Sequence, residues 1–306
     1  MQLEDACTEL RYAKDWTVQT RQWYDRRLGQ FIRWCTEQNV TSLEAIDLPL
    51  LRRYLEHLKT RRSERDPSKF LDSFTIHGHV RAIRTFLFWA ADEELIDEKL
   101  PRKFKPPKRE KKTIVVLKPQ HIERLKAAAL KTPTPLRDTA LLILLLDAGV
   151  RANELCTLEI KNVFFERERT YIIVYGKGRK QRVVPIGKTA RLALWRYIHR
   201  ERKDTESERV FIGRKGPLDV EGLERLLYRL RDAAGAEYFV GVKVAPHRCR
   251  HTCAVNKLKH GQNLYAVQND LGHSSISVTE GYLKGMTDMD ILDMSVSPVD
   301  QMSKAS

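Results

Sequence analysis

The chain is poor in cysteine, and what it has shows no pairing pattern. Cys7, Cys35, Cys156, Cys249 and Cys253 are odd in number and contain no CxxC spacing, which argues against a disulfide framework. Cys249 and Cys253, interleaved with His247 and His251, are the one grouping that suggests a metal. Arg248 and Arg250 sit inside it, and their fixed positive charge opposes a cation, so the cysteines are read as small apolar groups and no metal is expected. Long hydrophobic runs are missing too. The longest, Ala140–Leu146, falls far short of the roughly 18 residues that suggest a spanning helix. The opening MQLEDACTEL has no basic leader ahead of an apolar segment. A soluble protein with no membrane partner is expected, in the cytoplasm.

Negative charge is the other shortage. Against 55 Lys and Arg stand 40 Asp and Glu, a formal net charge of +15, with an isoelectric point near 9.6. Such an excess favours a polyanion, and with a membrane surface the poorer choice, nucleic acid remains. A length of 306 residues suits two domains, each large enough to bury a core.

The first third reads as helices. Trp16, Trp23, Leu28, Phe31, Ile32 and Cys35 share a face at helical spacing between about Lys14 and Gln38. Asp47 caps a second helix with Pro49 in its first turn, and Leu51, Tyr54, Leu55 and Leu58 form its stripe. A third, from about Ser73 to Glu93, carries Ile76, Val80, Ile83, Phe86, Leu87 and Trp89. Three or four such helices make a bundle, with Trp16, Trp23, Trp34 and Trp89 read as core. The opposite faces are basic: Lys14, Arg21, Arg26 and Arg27 on the first, His77, His79, Arg81 and Arg84 on the third. Charged faces are usually only solvated, but two neighbouring helices of one sign favour phosphate contacts, with Lys14, Arg21, Arg81 and Arg84 as candidates. PRKFKPPKREKK, Pro101 to Lys112, combines prolines with seven basic residues. It is read as an extended linker between a domain at 1–100 and one at 113–285, with Lys103, Lys105, Lys108 and Arg109 tracking the phosphate backbone.

The remaining two thirds carry five short patterns in order: DAGVRANEL, YGKGRKQR, PHRCRH, LGHSS and TEGYL. They supply Arg151, Lys177, His247, Arg250, His273 and Tyr282. Two guanidiniums, a lysine and two imidazoles can surround a phosphodiester and offset the charge that develops under attack, leaving a phenol as nucleophile. With an ordinary pKa near 10 that phenol needs a base, and His247 is the candidate acceptor, while Arg151, Arg250 and His273 bind the non-bridging oxygens. Glu154, three residues past Arg151, is placed to lock its guanidinium plane. Tyr171–Tyr175 and Gln181–Ile186 flank GKGRK as a hairpin, with Lys177 in the turn and Arg179, Lys180 and Arg182 expected on the DNA backbone. His247 and Arg250 fall in the first turn of a helix after Pro246, whose free amides attract anions; His251, rotated about 100° from Arg250, is read as structural. Gly272 is expected to cap a helix from Gln262 to Leu271.

This ordered set resembles the tyrosine recombinase (phage integrase) family across essentially all of the last two thirds of the chain. Ala148 stands where the family often has a hydroxyl residue, and Lys284 beyond the tyrosine where a histidine is common; neither touches the chemistry. The resemblance implies a mainly α fold with a small β-sheet: a helical, SAM-like core-binding domain joined to a mixed α/β catalytic domain, forming a C-shaped clamp on duplex DNA. It implies that Lys177 protonates the leaving 5′ oxygen, and that strands exchange through a 3′-phosphotyrosyl intermediate and a Holliday junction. The partners implied are double-stranded DNA bearing an inverted-repeat core site and a homotetramer, or a heterotetramer with a related recombinase, working on the nucleoid. The tail from Leu283 to Ser306, with Met286, Met289, Ile291, Leu292, Met294 and Val296 among Asp288, Asp290 and Asp293, is implied to pack into a neighbouring protomer. No metal, nucleoside triphosphate or other cofactor is required, since the phosphotyrosine stores the energy of the broken bond. The competing readings are a type IB topoisomerase, which shares the chemistry, and a silent DNA-binding protein, which has no reason to keep a nucleophile. The bundle at the front, with no separate arm-binding domain before it, leans toward a simple recombinase of resolvase or transposon kind.

Overall fold

Side-chain oxygens start the helices of the N-terminal unit. Thr17, Asp47 and Asp72 each end an extended stretch and accept the amide three residues on, satisfying a donor that the first turn leaves open. The computed structural model describes residues 1–64, 66–108, 110, 115–166, 169–176, 180–203 and 205–272, and the chain divides into two units, Met1–Lys112 and Thr113–Ser306.

The first unit comprises α1 (Leu3–Ala13), α2 (Val18–Glu37), α3 (Leu48–Thr60), α4 (Ser73–Asp92) and the short α5 (Lys99–Lys103). Leu28, Phe31, Leu51, Tyr54, Val80, Ile83 and Phe86 fill its core. The reading of one helix from about Lys14 is corrected: the chain is extended at Lys14 and Thr17, and α2 begins at Val18. Trp16 lies ahead of that helix and stacks on Tyr24, ring centroids 4.0 Å apart. Sequence reading passed over α1, whose buried Leu3, Ala6, Cys7 and Leu10 have the i, i+3, i+4, i+7 spacing of an apolar stripe.

The extended linker from Pro101 is also corrected at its start. Pro101 lies in the first turn of α5, where its missing amide costs no intrahelical bond, and it is buried. Asp97 accepts the Lys99 amide at 2.8 Å, and Phe104 is buried in the core of the N-terminal unit. Two apolar side chains thus fix a segment whose charge suggested a tether.

The second unit contains α6 (Pro119–Ala129), α7 (Pro135–Asp147), α8 (Ala152–Cys156), β1 (Val163–Phe165), β2 (Thr170–Tyr175), β3 (Gln181–Pro185), α9 (Lys188–Arg196), β4 (Ile212–Gly213), β5 (Gly216–Pro217), α10 (Val220–Ala233), α11 (Pro246–Lys259) and α12 (Leu264–Leu271). The first three strands form an antiparallel sheet in the order β1-β2-β3, and β2 and β3 pair from Tyr171↔Pro185 to Tyr175↔Gln181. The Gly176 amide closes that hairpin on the Lys180 carbonyl at 2.8 Å. Apolar α7, with Leu141, Leu142, Leu144 and Leu145 buried, runs through the core. No described helix is long and apolar enough to cross a membrane.

Candidate active site

The site is assembled at a corner between α7 and α8. Gly149 turns the chain there with φ 60°. A Cβ in its place would meet Leu271 Cδ2 at 2.7 Å and Cys253 Sγ at 2.9 Å, so a glycine lets the corner lie against α11 and α12. Arg151 follows as the N-cap of α8. Its amide donates to Glu154 Oε2 and its Nη1 to Glu154 Oε1, both at 2.7 Å, while Nη2 donates to the Gly272 carbonyl at 2.8 Å. The glutamate therefore reaches back from the third helical position to the cap, as in a capping box, and grips the guanidinium with the same carboxylate.

Arg250 arrives from the second turn of α11 and is buried, 3% exposed. Nη1 donates to the Gly149 carbonyl at 2.6 Å and Nη2 to the Leu271 carbonyl at 2.5 Å. Arg151 and Arg250 thus meet on successive carbonyls at the end of α12, which the left-handed Gly272 terminates (φ 64°). His247, one turn before Arg250, is exposed at the helix start. Crowding by protein atoms, then the Arg250 and Arg248 charges, lower its pKa from the ordinary imidazole value, keeping the ring neutral and able to accept a proton near pH 7. His251 is buried and held at about 4 by burial and then by Arg248 and His247. Cys249 and Cys253 are buried with thiols pushed up to about 12 by burial, and Cys253 Sγ donates to the Asp147 carbonyl at 3.1 Å.

The phosphate contact expected of Arg182 does not fit its surroundings. Nη1 and Nη2 bond the two oxygens of Glu154 at 2.6 and 2.7 Å, and Nε donates to the Asp270 carbonyl at 3.1 Å. Sequence reading missed this because Glu154, Arg182 and Asp270 are far apart along the chain and meet only through β3 and α12. Lys180, beside it, is exposed. Lys177 and Arg179, between β2 and β3 in the sequence, and His273, Tyr282 and the tail beyond lie outside the described residues.

Residues 115–287 match the phage integrase family. The chain belongs to that family. It is 30% identical over 282 residues to tyrosine recombinase XerC of Bacillus pumilus (strain SAFR-032), covering 89% of this chain and 88% of the relative. Tyrosine recombinase XerD of Oceanobacillus iheyensis is 28% identical over 287 residues, with 92% of each chain covered. Among solved structures, the Tn1549 transposon integrase in complex with transposon right end DNA superposes with a TM-score of 0.73 at 18% identity over the whole of both chains, a likeness of fold.

In this phage integrase chain the candidate DNA contacts of the N-terminal unit divide by environment. Arg21 and Arg81 are exposed, Arg81 with its guanidinium carbon 5.0 Å from the centre of the Trp23 ring. Arg27 lies over the same ring at 3.9 Å. Lys14 is half-buried after α1, and Arg84 is turned onto the Pro101 carbonyl at 3.2 Å. Lys103, Lys105 and Lys108 are exposed, and Arg109 lies outside the described residues. His79, placed on the basic face by the sequence reading, is buried instead, with Nδ1 3.5 Å from the Tyr54 hydroxyl.

Proposed function

We propose that this chain is a site-specific DNA recombinase that cuts and rejoins strands through Tyr282. The phenol loses its proton to His247 and its oxygen attacks the phosphorus; the bond to the 5′ oxygen breaks, that oxygen takes a proton from Lys177, and the DNA stays joined through a 3′-phosphotyrosine. Arg151, Arg250 and His273 offset the charge on the non-bridging oxygens. Attack by a second strand's 5′ hydroxyl reverses the chemistry on a new partner. The observation that carries the reading is the convergence of Arg151 and Arg250 on the Gly272 and Leu271 carbonyls at the end of α12, Gly272 lying one residue before His273 and ten before Tyr282. A lowered pKa at His247 supports its part as acceptor. A tetramer on an inverted-repeat core site, with the acidic, methionine-rich tail packed on a neighbouring protomer, completes the proposal, and the nucleoid is its place of action.

The test begins with a core site selected by the wild-type chain from a pool of random duplexes. On a nicked duplex of that site the wild type should become covalently attached, and Tyr282→Phe should bind equally and attach none. Attachment of the Phe variant would remove Tyr282 as nucleophile. A plasmid carrying two sites should be resolved into separate circles; relaxation without exchange would make the chain a topoisomerase.

A further inference from the structure

Glu154 is a buried carboxylate, 2% exposed, that answers two arginines at once. Arg182 approaches in the parallel two-bond fork that suits a carboxylate, and Arg151 approaches through its amide and Nη1. With one arginine the pair would be neutral, and the guanidinium meant for phosphate would serve as counter-ion to a buried charge. With two, the cluster carries one net positive charge, left for Arg151 to present.

The same side chain reaches α12. Asp270, Leu271 and Gly272 offer three successive carbonyls, and Arg182, Arg250 and Arg151 take one each. The Asp270 carboxylate has its own partners, Lys257 at 2.5 Å and Gln262 at 2.8 Å. Gly272 is required for this arrangement, since a Cβ there would lie 2.9 Å from Arg182 Cδ. We propose that Arg182 is a positioning residue for strand cleavage: it neutralises Glu154 and fixes the last turn of α12, so that the Arg151 guanidinium faces the phosphodiester. This rests on the strand-transfer reading above.

Electrostatics agree. Burial pushes the Glu154 carboxyl up, but hydrogen bonds from Arg182 and the Arg151 amide, followed by the Arg182 charge and the Arg151 side chain, outweigh it and hold the group at about 2. Among the described residues these two arginines are the cations that bond it; α10, packed beside α8, brings Asp219 near Cys156. Without Arg182 the carboxyl must titrate higher, and Arg151 is drawn onto it.

The experiment measures binding and single-turnover attachment on the selected nicked duplex for the wild type, Arg182→Met and Arg182→Lys. Arg182→Met should bind within about threefold of the wild type, because it removes no phosphate contact. Its attachment per bound complex should slow by at least ~30-fold, because the guanidinium of Arg151 is no longer held toward the phosphodiester. Arg182→Lys, which keeps the charge but not the fork, should restore part of the rate, and it carries the test if the Met variant does not fold. Weakened binding with an unchanged rate per bound complex would make Arg182 a phosphate contact. A loss of rate in the Met variant with no recovery in the Lys variant would reduce it to a structural residue. Either result overturns the proposal, whereas a wild type that never attaches would refute the strand-transfer reading itself.

Discussion

In the N-terminal unit Arg81 rests against the face of Trp23 at 5.0 Å, and Arg27 lies over the same indole at 3.9 Å with one bond to the Trp23 carbonyl, whereas in the second unit Arg151, Arg182 and Arg250 are pinned by a carboxylate and by backbone carbonyls. An aromatic face attracts a guanidinium without using up its donors or fixing its angle. A carboxylate or carbonyl fixes both. The first arrangement suits contacts with a polyanion whose charges recur along its length, where misplacement by an ångström costs little. The second suits a group aimed at one reacting atom, where the same misplacement costs orders of magnitude.

Arg250→Ala breaks the pinned side hardest. Cleavage per bound complex should fall by about 10² or more, as when an oxyanion donor is lost, and the Gly149 and Leu271 carbonyls lose their donor, at a cost of about 1–3 kcal/mol in stability for each buried group. Arg81→Ala is the control on the loose side: attachment per bound complex should stay at the wild-type level. If both variants lost cleavage alike, the distinction between held and loose arginines would fail.

Two glycines, one from each unit, differ in the same way. Gly149→Ala should destabilise the protein by roughly 3 kcal/mol, because φ 60° strains any L side chain and its Cβ would press on Leu271 and Cys253. Gly29, inside α2, has nothing within 4 Å of a built Cβ, and Gly29→Ala should stabilise by about 0.5–1 kcal/mol. Thermal melts of the two variants should move in opposite directions.

What could be read from the sequence follows the same line. Asp47, Pro49 and the stripe on α3, the extent of α4, the α11 start at Pro246 and the Gly272 cap are local signals, each contained within a few residues, and the structure keeps them. The hairpin was legible from its glycines and β-branched flanks, and β1 was not, because three residues are too few to show alternation. The grip of Glu154 on Arg151 spans three residues and was within reach. Its second arginine was not, since charge alone does not tell an arginine facing DNA from one facing a buried carboxylate 28 residues away.

Where the units agree is in their buried histidines. His79 is held at about 4 by burial and then by Arg27 and Arg61, and His251 at about 4 by burial and then by Arg248 and His247. Each folded value lies below the unfolded one near 6.5, so the native state excludes a proton that the unfolded chain binds. Stability from each is fully present above pH 6.5 and is lost as pH falls from there through 4, by about 3 kcal/mol apiece. Glu154, at about 2, gives way only below the unfolded glutamate value near 4.3, a separate window. Denaturant unfolding at pH 7.5, 5.5 and 4.5 should show the loss, and His79→Leu and His251→Leu should each flatten it. An unflattened slope would mean that the acid sensitivity lies elsewhere.

The smallest effect belongs to the loose side. Arg21 and Arg81 are exposed, and a phosphate contact by either is worth about 0.5–1 kcal/mol at moderate salt because solvent screens it. Replacing one with Ala should weaken binding a fewfold, equally on the selected site and on unrelated duplexes, and reduce the slope of log affinity against log salt by about one. The even loss across sequences is the decisive part. A residue that read a base would weaken the selected site alone, and one that only covers Trp23 would leave the slope unchanged. Titration of the Arg21→Ala and Arg81→Ala chains against both duplexes over a range of salt separates these outcomes. An unchanged slope in both variants would confine the phosphate contacts to other residues and leave Arg81 as part of the packing around Trp23.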